Sequence, residues 1–205
     1  MLVRTREFES QVPVRAGSLL ALPGFEVRHL TPDRLRLQIW GALPETWAAA
    51  LSSGLYAAGL CIGRAWARRV EAESWLGEFE LEAPGASDAP LCLDYLEFAR
   101  RPLDALATPE PRVTRYHRSL TAKHGGSLFL EVRASDQPGF LGGLLSRIGA
   151  LGVHPEEMIV DTRGVPVLDR FFLKDAYGRV PDPARRHALG TLLDQLARPR
   201  TSAIE

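Results

Sequence analysis

The segment between residues 136 and 141 combines groups that could bind a small charged molecule. It contains Asp136, Gln137, Pro138, Gly139, Phe140 and Leu141, and the apolar periodicity that follows predicts a helix starting here. A helix N-terminus exposes unpaired N–H groups and a partial positive charge, which favour a carboxylate or phosphate. Gly139 lets a ligand approach the backbone. Asp136 either caps the helix or holds a ligand's ammonium, so an amino acid would suit this turn.

His154 is a further candidate, because Pro155, Glu156 and Glu157 follow it. A histidine and a glutamate three residues apart suit a metal on a helix, but Pro155 and the residue pattern predict a strand here. Contact with a ligand in a groove, metal ligation and plain surface are the alternatives left open. We include His154 among the ligand-binding candidates and predict no metal site.

The sequence lacks the common motifs of catalytic sites. It contains no G-x-S-x-G, no P-loop and no G-x-G-x-x-G motif. His117 and His124 need a nucleophile or an acid within reach to act in catalysis, and the sequence identifies neither. We therefore predict that the protein is not an enzyme, with no catalytic residues and no cofactor.

Composition excludes several classes of protein. The 205 residues are 45% apolar and 24% charged, enough apolar material for a folded core. The 25 basic and 25 acidic residues balance, so we expect no nucleic-acid partner. No apolar run approaches the length of a membrane span, and Met1–Gln11 lacks a signal-peptide pattern, so we expect no membrane partner and a cytoplasmic location. Cys61 and Cys92 are predicted to be small core residues.

An internal repeat organises the chain. Shifting the sequence by 93 residues places Leu35, Leu37 and Ile39 on Leu128, Leu130 and Val132, Gly59 on Gly152, and Phe79 on Phe172. Each copy has an alternating strand, a turn with a proline, an amphipathic helix, a glycine and two further strands. This period predicts two similar small domains.

The predicted elements of both copies follow from hydrophobic periodicity and from turn residues. In the first copy we predict strands at 25–30, 34–40, 64–72 and 75–82, and helices at 45–58 and 89–100. In the second copy we predict strands at 127–133, 153–161 and 165–174, a turn at Arg163–Gly164, a helix from residue 140 and another from Asp182. A strand at 113–118 can complete the first copy, and it is also an approximate counterpart of the strand at 25–30. For the second copy only residues 201–204 remain.

The second copy resembles an ACT domain. The family's turn, D-x-P-G followed by an apolar residue and leucine, is matched by Asp136, Pro138, Gly139, Phe140 and Leu141. The segment 169–179 resembles the family's third strand and the D-x-x-G loop after it. The pair is most similar to the tandem ACT domains at the C-terminus of bacterial uridylyltransferases. The first copy is degenerate, since Gly41–Trp47 lacks the aspartate and has Glu45 where glycine is expected.

The resemblance implies an α+β fold of two tandem ferredoxin-like βαββαβ (ACT-like) units with antiparallel sheets. The expected organisation is an N-terminal lead at 1–24, a degenerate ACT-like domain at 25–120 and an ACT domain at 121–205. ACT domains commonly pair side by side into an eight-stranded sheet, here within one chain, with a homodimer as a further option.

The function that the resemblance implies is that of a non-catalytic regulatory or sensor protein. It would bind a small amino-acid-like ligand at the turn of the second copy and signal through domain or subunit packing to a partner enzyme in trans. The alternative is a ligand-free dimerisation or protein-interaction module.

Two further features of the sequence call for an explanation. Gly142 and Gly143 lie inside a predicted helix, where each glycine costs about 1 kcal/mol relative to alanine. Either close packing against a second helix or subunit compensates, or the helix frays. All four tryptophans lie in the first copy, at 40, 47, 66 and 75. Core packing is the expected role, with filling of a ligand space or a partner surface as alternatives.

Overall fold

Alternating apolar and polar residues build eight strands. The computed structural model describes residues 22–70, 74–83, 88–102, 108–162 and 167–198. The strands are β1 (Gly24–Thr31), β2 (Arg34–Ala42), β3 (Cys61–Arg69), β4 (Ser74–Glu82), β5 (Val113–Thr121), β6 (Ser127–Ala134), β7 (Val153–Asp161) and β8 (Val167–Asp175). The predicted turn at Arg163–Gly164, the predicted strand at 201–204 and residues 1–21 of the predicted lead lie outside the described residues.

Four α-helices accompany the strands: α1 (Trp47–Ala57), α2 (Tyr95–Arg100), α3 (Phe140–Gly149) and α4 (Pro183–Ala197). The helix predicted at 89–100 is divided, because Leu93 and Asp94 have extended backbones between a 3₁₀ turn (Ala89–Cys92) and α2. The Asp94 carboxylate accepts a hydrogen bond from the Glu97 N–H at 3.0 Å and so starts α2 afresh. None of the described helices has the length and apolar content to cross a bilayer.

The strands form one antiparallel sheet in the order β1-β2-β4-β3-β7-β8-β6-β5. The first half runs from β1 to α2, and the second half runs from β5 to α4. The strands of the second half lie in the sheet in the reverse of the order of the corresponding strands of the first half, and the two halves meet where β3 pairs with β7. The α+β class is confirmed, and the strands of both halves of the chain lie in one eight-stranded antiparallel sheet.

The strand at 113–118 does not complete the first copy. It is part of β5, which pairs with β6 through the short connection around Lys123–Gly125. The edge strand of the first half is β1, which pairs with β2. β1 and β5 each pair with the strand that follows them in the chain. Each half therefore has the chain order strand, strand, helix, strand, strand, helix. The domain boundaries themselves stay a prediction.

The register of the sheet corrects the repeat alignment by one residue in the last strand. Phe79 lies opposite Leu37, and Phe171, not Phe172, lies opposite Leu130. A one-residue shift moves a side chain to the other face of a sheet, and Phe79 and Phe171 are both fully buried. By the same register Gly77, opposite Ile39, corresponds to Asp169, opposite Val132.

The glycine pair in α3 allows close packing, as one of the two alternatives predicted. A Cβ on Gly142 would lie 2.6 Å from the Ser53 Oγ of α1, and a Cβ on Gly143 would lie 2.4 Å from the Pro109 carbonyl oxygen. The helix is continuous through both glycines, so the fraying alternative is wrong. The contact brings α1 and α3 together and connects the two halves above the β3–β7 junction.

The tryptophans and cysteines were predicted to be core residues, but only some of them are buried. Trp47 and Trp75 are buried and pack edge to face, with ring centroids 5.5 Å apart, as expected of core residues. Trp40 and Trp66 are only half-buried. Cys61 and Cys92 are exposed, so their prediction as core residues is wrong. They lie at the start of β3 and at the end of the 3₁₀ turn, where the chain is at the surface.

Candidate functional site

The turn between β6 and α3 begins the helix with a glycine. Gly139 has a φ of +75°, in the left-handed region that favours glycine, and occupies the N-cap position. No side chain caps this helix, and Asp136 is exposed three residues before the cap. The prediction of Asp136 as an N-cap is therefore wrong, because the left-handed glycine turns the chain away before the helix begins.

Asp182, where the start of a helix was predicted, is the N-cap of α4. Its carboxylate accepts a hydrogen bond from the Arg185 N–H at 2.8 Å at the start of α4. We expect Asp182→Ala to lower the melting temperature by roughly 2–4 °C, because the helix loses its cap. Asp136→Ala is the matched control and should leave the melting temperature within about 1 °C, as is usual for surface changes. Equal losses in the two variants would contradict this assignment.

Gln137 fastens the segment that connects the two halves. Its Nε2 donates to the Glu110 carbonyl at 2.9 Å, and its Oε1 accepts from the Arg112 N–H at 3.2 Å. Pro109 lies over Gly139, where a Cβ would be 2.7 Å from the proline Cγ. Gln137 and Gly139 thus hold the connecting segment on the first turn of α3, while Pro138 is exposed.

A cavity of about 50 Å³ lies beneath this turn, between the two halves. From the first half, α1 contributes Ser52 and Tyr56, and the start of β3 contributes Cys61. From the second half, the turn and the first residues of α3, including Phe140 and Leu141, line it together with the end of β7 and the start of β8. The residues of the turn and of the first turn of α3 that line the cavity are Asp136, Gln137, Gly139, Phe140, Leu141 and Gly142. The predicted ligand turn therefore forms one wall of a cavity whose other wall belongs to the first copy.

Two buried polar side chains in this cavity have no hydrogen-bond partner in the part of the chain that the structure describes. Both carboxyl oxygens of Asp169 lack one, and the residue is fully buried. The Ser52 hydroxyl is likewise buried and unpartnered. Burial raises the pKa of Asp169 to about 7. The backbone N–H of Asp161 opposes this rise, and the Asp161 carboxylate adds to it.

Neither Asp169 nor Ser52 was identified as a site residue from the sequence. Asp169 lies at two-residue spacing from Val167, Phe171 and Leu173, which are all buried, so it shares their face of β8, but the sequence does not show that this face is the buried one. Unpartnered buried polar groups are rare in folded proteins, and each requires an explanation. Asp169 and Ser52 line the same cavity, so both groups are available there to form hydrogen bonds with a polar molecule.

The corresponding place in the first half is filled. Gly77 stands where Asp169 stands in the second half, and a Cβ on Gly77 would lie 3.1 Å from the Trp47 ring. That ring also packs edge to face on Phe79, with centroids 6.1 Å apart. The indole thus occupies the space next to the central strand, which agrees with the alternative that tryptophan fills a ligand space. The cavity at Asp169 has no such filling.

His154 lies away from the turn. It is on β7 near the last residue of α3, Gly149, whose Cβ would meet the imidazole at 3.7 Å. Its Nε2 is 3.5 Å from the Glu45 carboxylate, at the start of α1. Burial lowers the pKa of His154, and the nearby Glu45 carboxylate opposes that shift. The structure therefore does not bring His154 together with Asp136 and the other residues of the turn.

Other charged groups near His154 are paired with one another. The Arg69 guanidinium lies 3.8 Å from Glu45 and 3.3 Å from Glu156, and it stacks over the Trp75 ring at 5.0 Å. Within the described ranges, no group of three or more histidine, cysteine or acidic side chains is arranged to hold a metal ion.

Comparison with known proteins leaves the site to be interpreted from its own geometry. The chain is not significantly similar to any protein-family model, curated protein or solved structure.

Proposed function

We propose that this chain is a non-catalytic sensor that binds a small amino-acid-like ligand in the cavity beneath the turn of its second ACT-like domain. The observation that carries the proposal is the unpartnered carboxyl of Asp169 inside a cavity shared by both halves. The first turn of α3 lies on the same cavity and supplies the partial positive charge of a helix N-terminus. A ligand with one cation and one anion matches these two features.

The strand order supports a pair of ferredoxin-like units. In such a βαββαβ unit the last strand lies beside the first. Here the strand in that position comes from the start of each half, as β1 and β5, and not from its end. The spatial arrangement is the same, and only the connection differs.

Signalling would follow from the position of the cavity between the halves. A ligand that contacts Ser52 on α1 and Asp169 on β8 favours one packing of the halves over others, and a partner enzyme in trans can bind that packing selectively. The connecting segment held by Gln137 lies on the same turn, so its position would respond to the occupant as well.

Thermal unfolding with a panel of compounds tests the proposal. We expect one of the twenty amino acids, or a close analogue, to raise the melting temperature by several degrees, because a ligand at 100 times its Kd stabilises the folded chain by roughly 2.7 kcal/mol. Common nucleotides serve as a comparison panel. The shift should be lost in Asp169→Asn and kept in Glu26→Gln, whose carboxylate is exposed on β1 and does not line the cavity. No shift with any compound would contradict the sensor and favour the ligand-free interaction module.

A further inference from the structure

We propose that the inner end of the cavity is a subsite for a protonated primary amine, in which Asp169 pairs with the ammonium and Ser52 completes its hydrogen bonds. The inference rests on the proposed function, and it narrows the class of ligands to molecules that carry a free primary ammonium group. A buried carboxylate without partners is strongly unfavourable unless a proton or a cation joins it. Asp169 is such a carboxylate, since neither of its oxygens has a hydrogen-bond partner among the described residues.

The described groups that face Asp169 include no cation. From α1 the cavity receives the Tyr56 phenol, from β3 the Cys61 thiol, and from the turn the Asp136 carboxylate. Burial raises the pKa of the Cys61 thiol, with Asp136 adding to the rise, so the thiol stays neutral. When Asp169 is ionised, a cation that pairs with it inside the cavity would therefore be an occupant.

The Asp161 carboxylate on β7 adds negative charge near Asp169. Its charge raises the pKa of Asp169, and the carboxylate is itself paired with the Arg64 guanidinium at 3.3 Å. Apart from this Arg64–Asp161 ion pair, the described side chains that line the cavity beside Asp169 are neutral or acidic, which favours a cationic occupant.

The size of the cavity limits the occupant's inner part to a small group. A cavity needs roughly 10–15 Å³ for one water molecule, so about 50 Å³ admits an ammonium with one or two attached carbons. The rest of a larger ligand has to extend outward past Tyr56 and Asp136, both of which are exposed. Quaternary ammonium groups are too large and cannot donate hydrogen bonds.

Ser52 is placed to share the ammonium. Its hydroxyl is buried, lines the same cavity and has no partner among the described groups. An ammonium has three N–H donors, and a serine hydroxyl has two acceptor lone pairs. Asp169 and Ser52 together would accept at least two of the three donors.

Methylammonium chloride is the probe that tests this subsite directly. We expect it to raise the melting temperature of the full chain at pH 8, whereas sodium chloride and tetramethylammonium chloride at equal ionic strength do not. Binding has to displace the Asp169 proton at low pH, so the apparent affinity should be roughly tenfold higher at pH 8 than at pH 6. Asp169→Asn should abolish the shift and Ser52→Ala should weaken it several-fold. Glu26→Gln, which removes an exposed carboxylate on the edge strand β1 that does not line the cavity, should leave it unchanged.

The outcomes separate this inference from the proposed function. Equal shifts with methylammonium, sodium and tetramethylammonium, or a methylammonium shift that persists in Asp169→Asn, would overturn the amine subsite. If an amino acid stabilises the chain while methylammonium does not, the subsite is wrong and the sensor stands. If methylammonium binds as described and no amino acid does, the subsite stands and the proposed ligand class is wrong.

Discussion

Replacing Asp169 with asparagine is expected to stabilise the empty chain at pH 8 and to leave its stability nearly unchanged at pH 4. Burial raises the pKa of Asp169 from 3.8 to about 7 in the folded state. Between these values the folded state keeps a proton that the unfolded state loses, so stability falls as pH rises from about 4 to about 7. Asparagine resembles the protonated acid in shape and does not ionise.

The expected gain from Asp169→Asn at pH 8 is large for a single substitution. Three pKa units correspond to about 4 kcal/mol as an upper value, or roughly 10 °C in melting temperature for a domain of this size. Urea unfolding of both proteins at several pH values between 4 and 8 measures the difference. Asp136→Asn is the control, since its carboxylate is exposed and its stability curve should parallel that of the wild type. Parallel curves for wild type and Asp169→Asn would show that Asp169 is ionised in both states.

The destabilisation of the empty chain is consistent with a binding role for Asp169. A cation that pairs with the carboxylate removes the unfavourable burial of an isolated charge, and it does so only in the folded state. Functional sites commonly contain groups that lower the stability of the free protein. Asp169 would therefore account both for the lower stability of the ligand-free chain and for its stabilisation when a cation binds.

The sequence predicted the elements well where local signals were strong. The strand at Val153–Asp161 has the predicted bounds, and Met158 and Val160 face the core together, as expected. The start of α4 was predicted from Asp182 and Pro183, because an acidic cap directly before a proline specifies one helix start. These signals involve adjacent residues and do not depend on the rest of the fold.

Asp136 shows where a local signal was insufficient. It lies two residues before Pro138, and Gly139, which follows that proline in the left-handed conformation, is the N-cap of α3. Asp182 lies next to its helix, whereas two further residues separate Asp136 from Gly139. The conformation of one glycine decided between capping and exposure, and the sequence alone does not determine that conformation.

Asp169 was missed because β8 has apolar side chains on both faces. Leu168 and Phe172 lie on one face, and Phe171 and Leu173 lie on the other. Alternation alone does not tell which set is buried, and a shift of one residue exchanges the two. Pairing with Val132 of β6 places Asp169 on the face covered by helices. The position of the site residue is thus a property of the assembled sheet.

Gly142→Leu is expected to destabilise the chain by about 3 kcal/mol and to abolish ligand and methylammonium responses together. The new Cβ would lie 2.6 Å from the Ser53 Oγ and 3.0 Å from the Ser53 backbone nitrogen, so α1 and α3 have to separate. Gly142 also lines the cavity, and the rest of the leucine side chain would enter it or displace the turn. Urea unfolding and the melting-temperature shift with methylammonium measure the two effects.

Gly149→Ala, in the same helix, separates packing from helix propensity. Its Cβ would meet only the His154 ring, at 3.7 Å, which is an ordinary contact. Alanine is the better helix former by up to about 1 kcal/mol, so this variant should be slightly more stable than the wild type and should respond to methylammonium as the wild type does. If Gly142→Leu were as stable and as responsive as Gly149→Ala, the contact between α1 and α3 would not hold the halves together. The cavity would then lack the first-half wall on which both the sensor and the amine subsite depend.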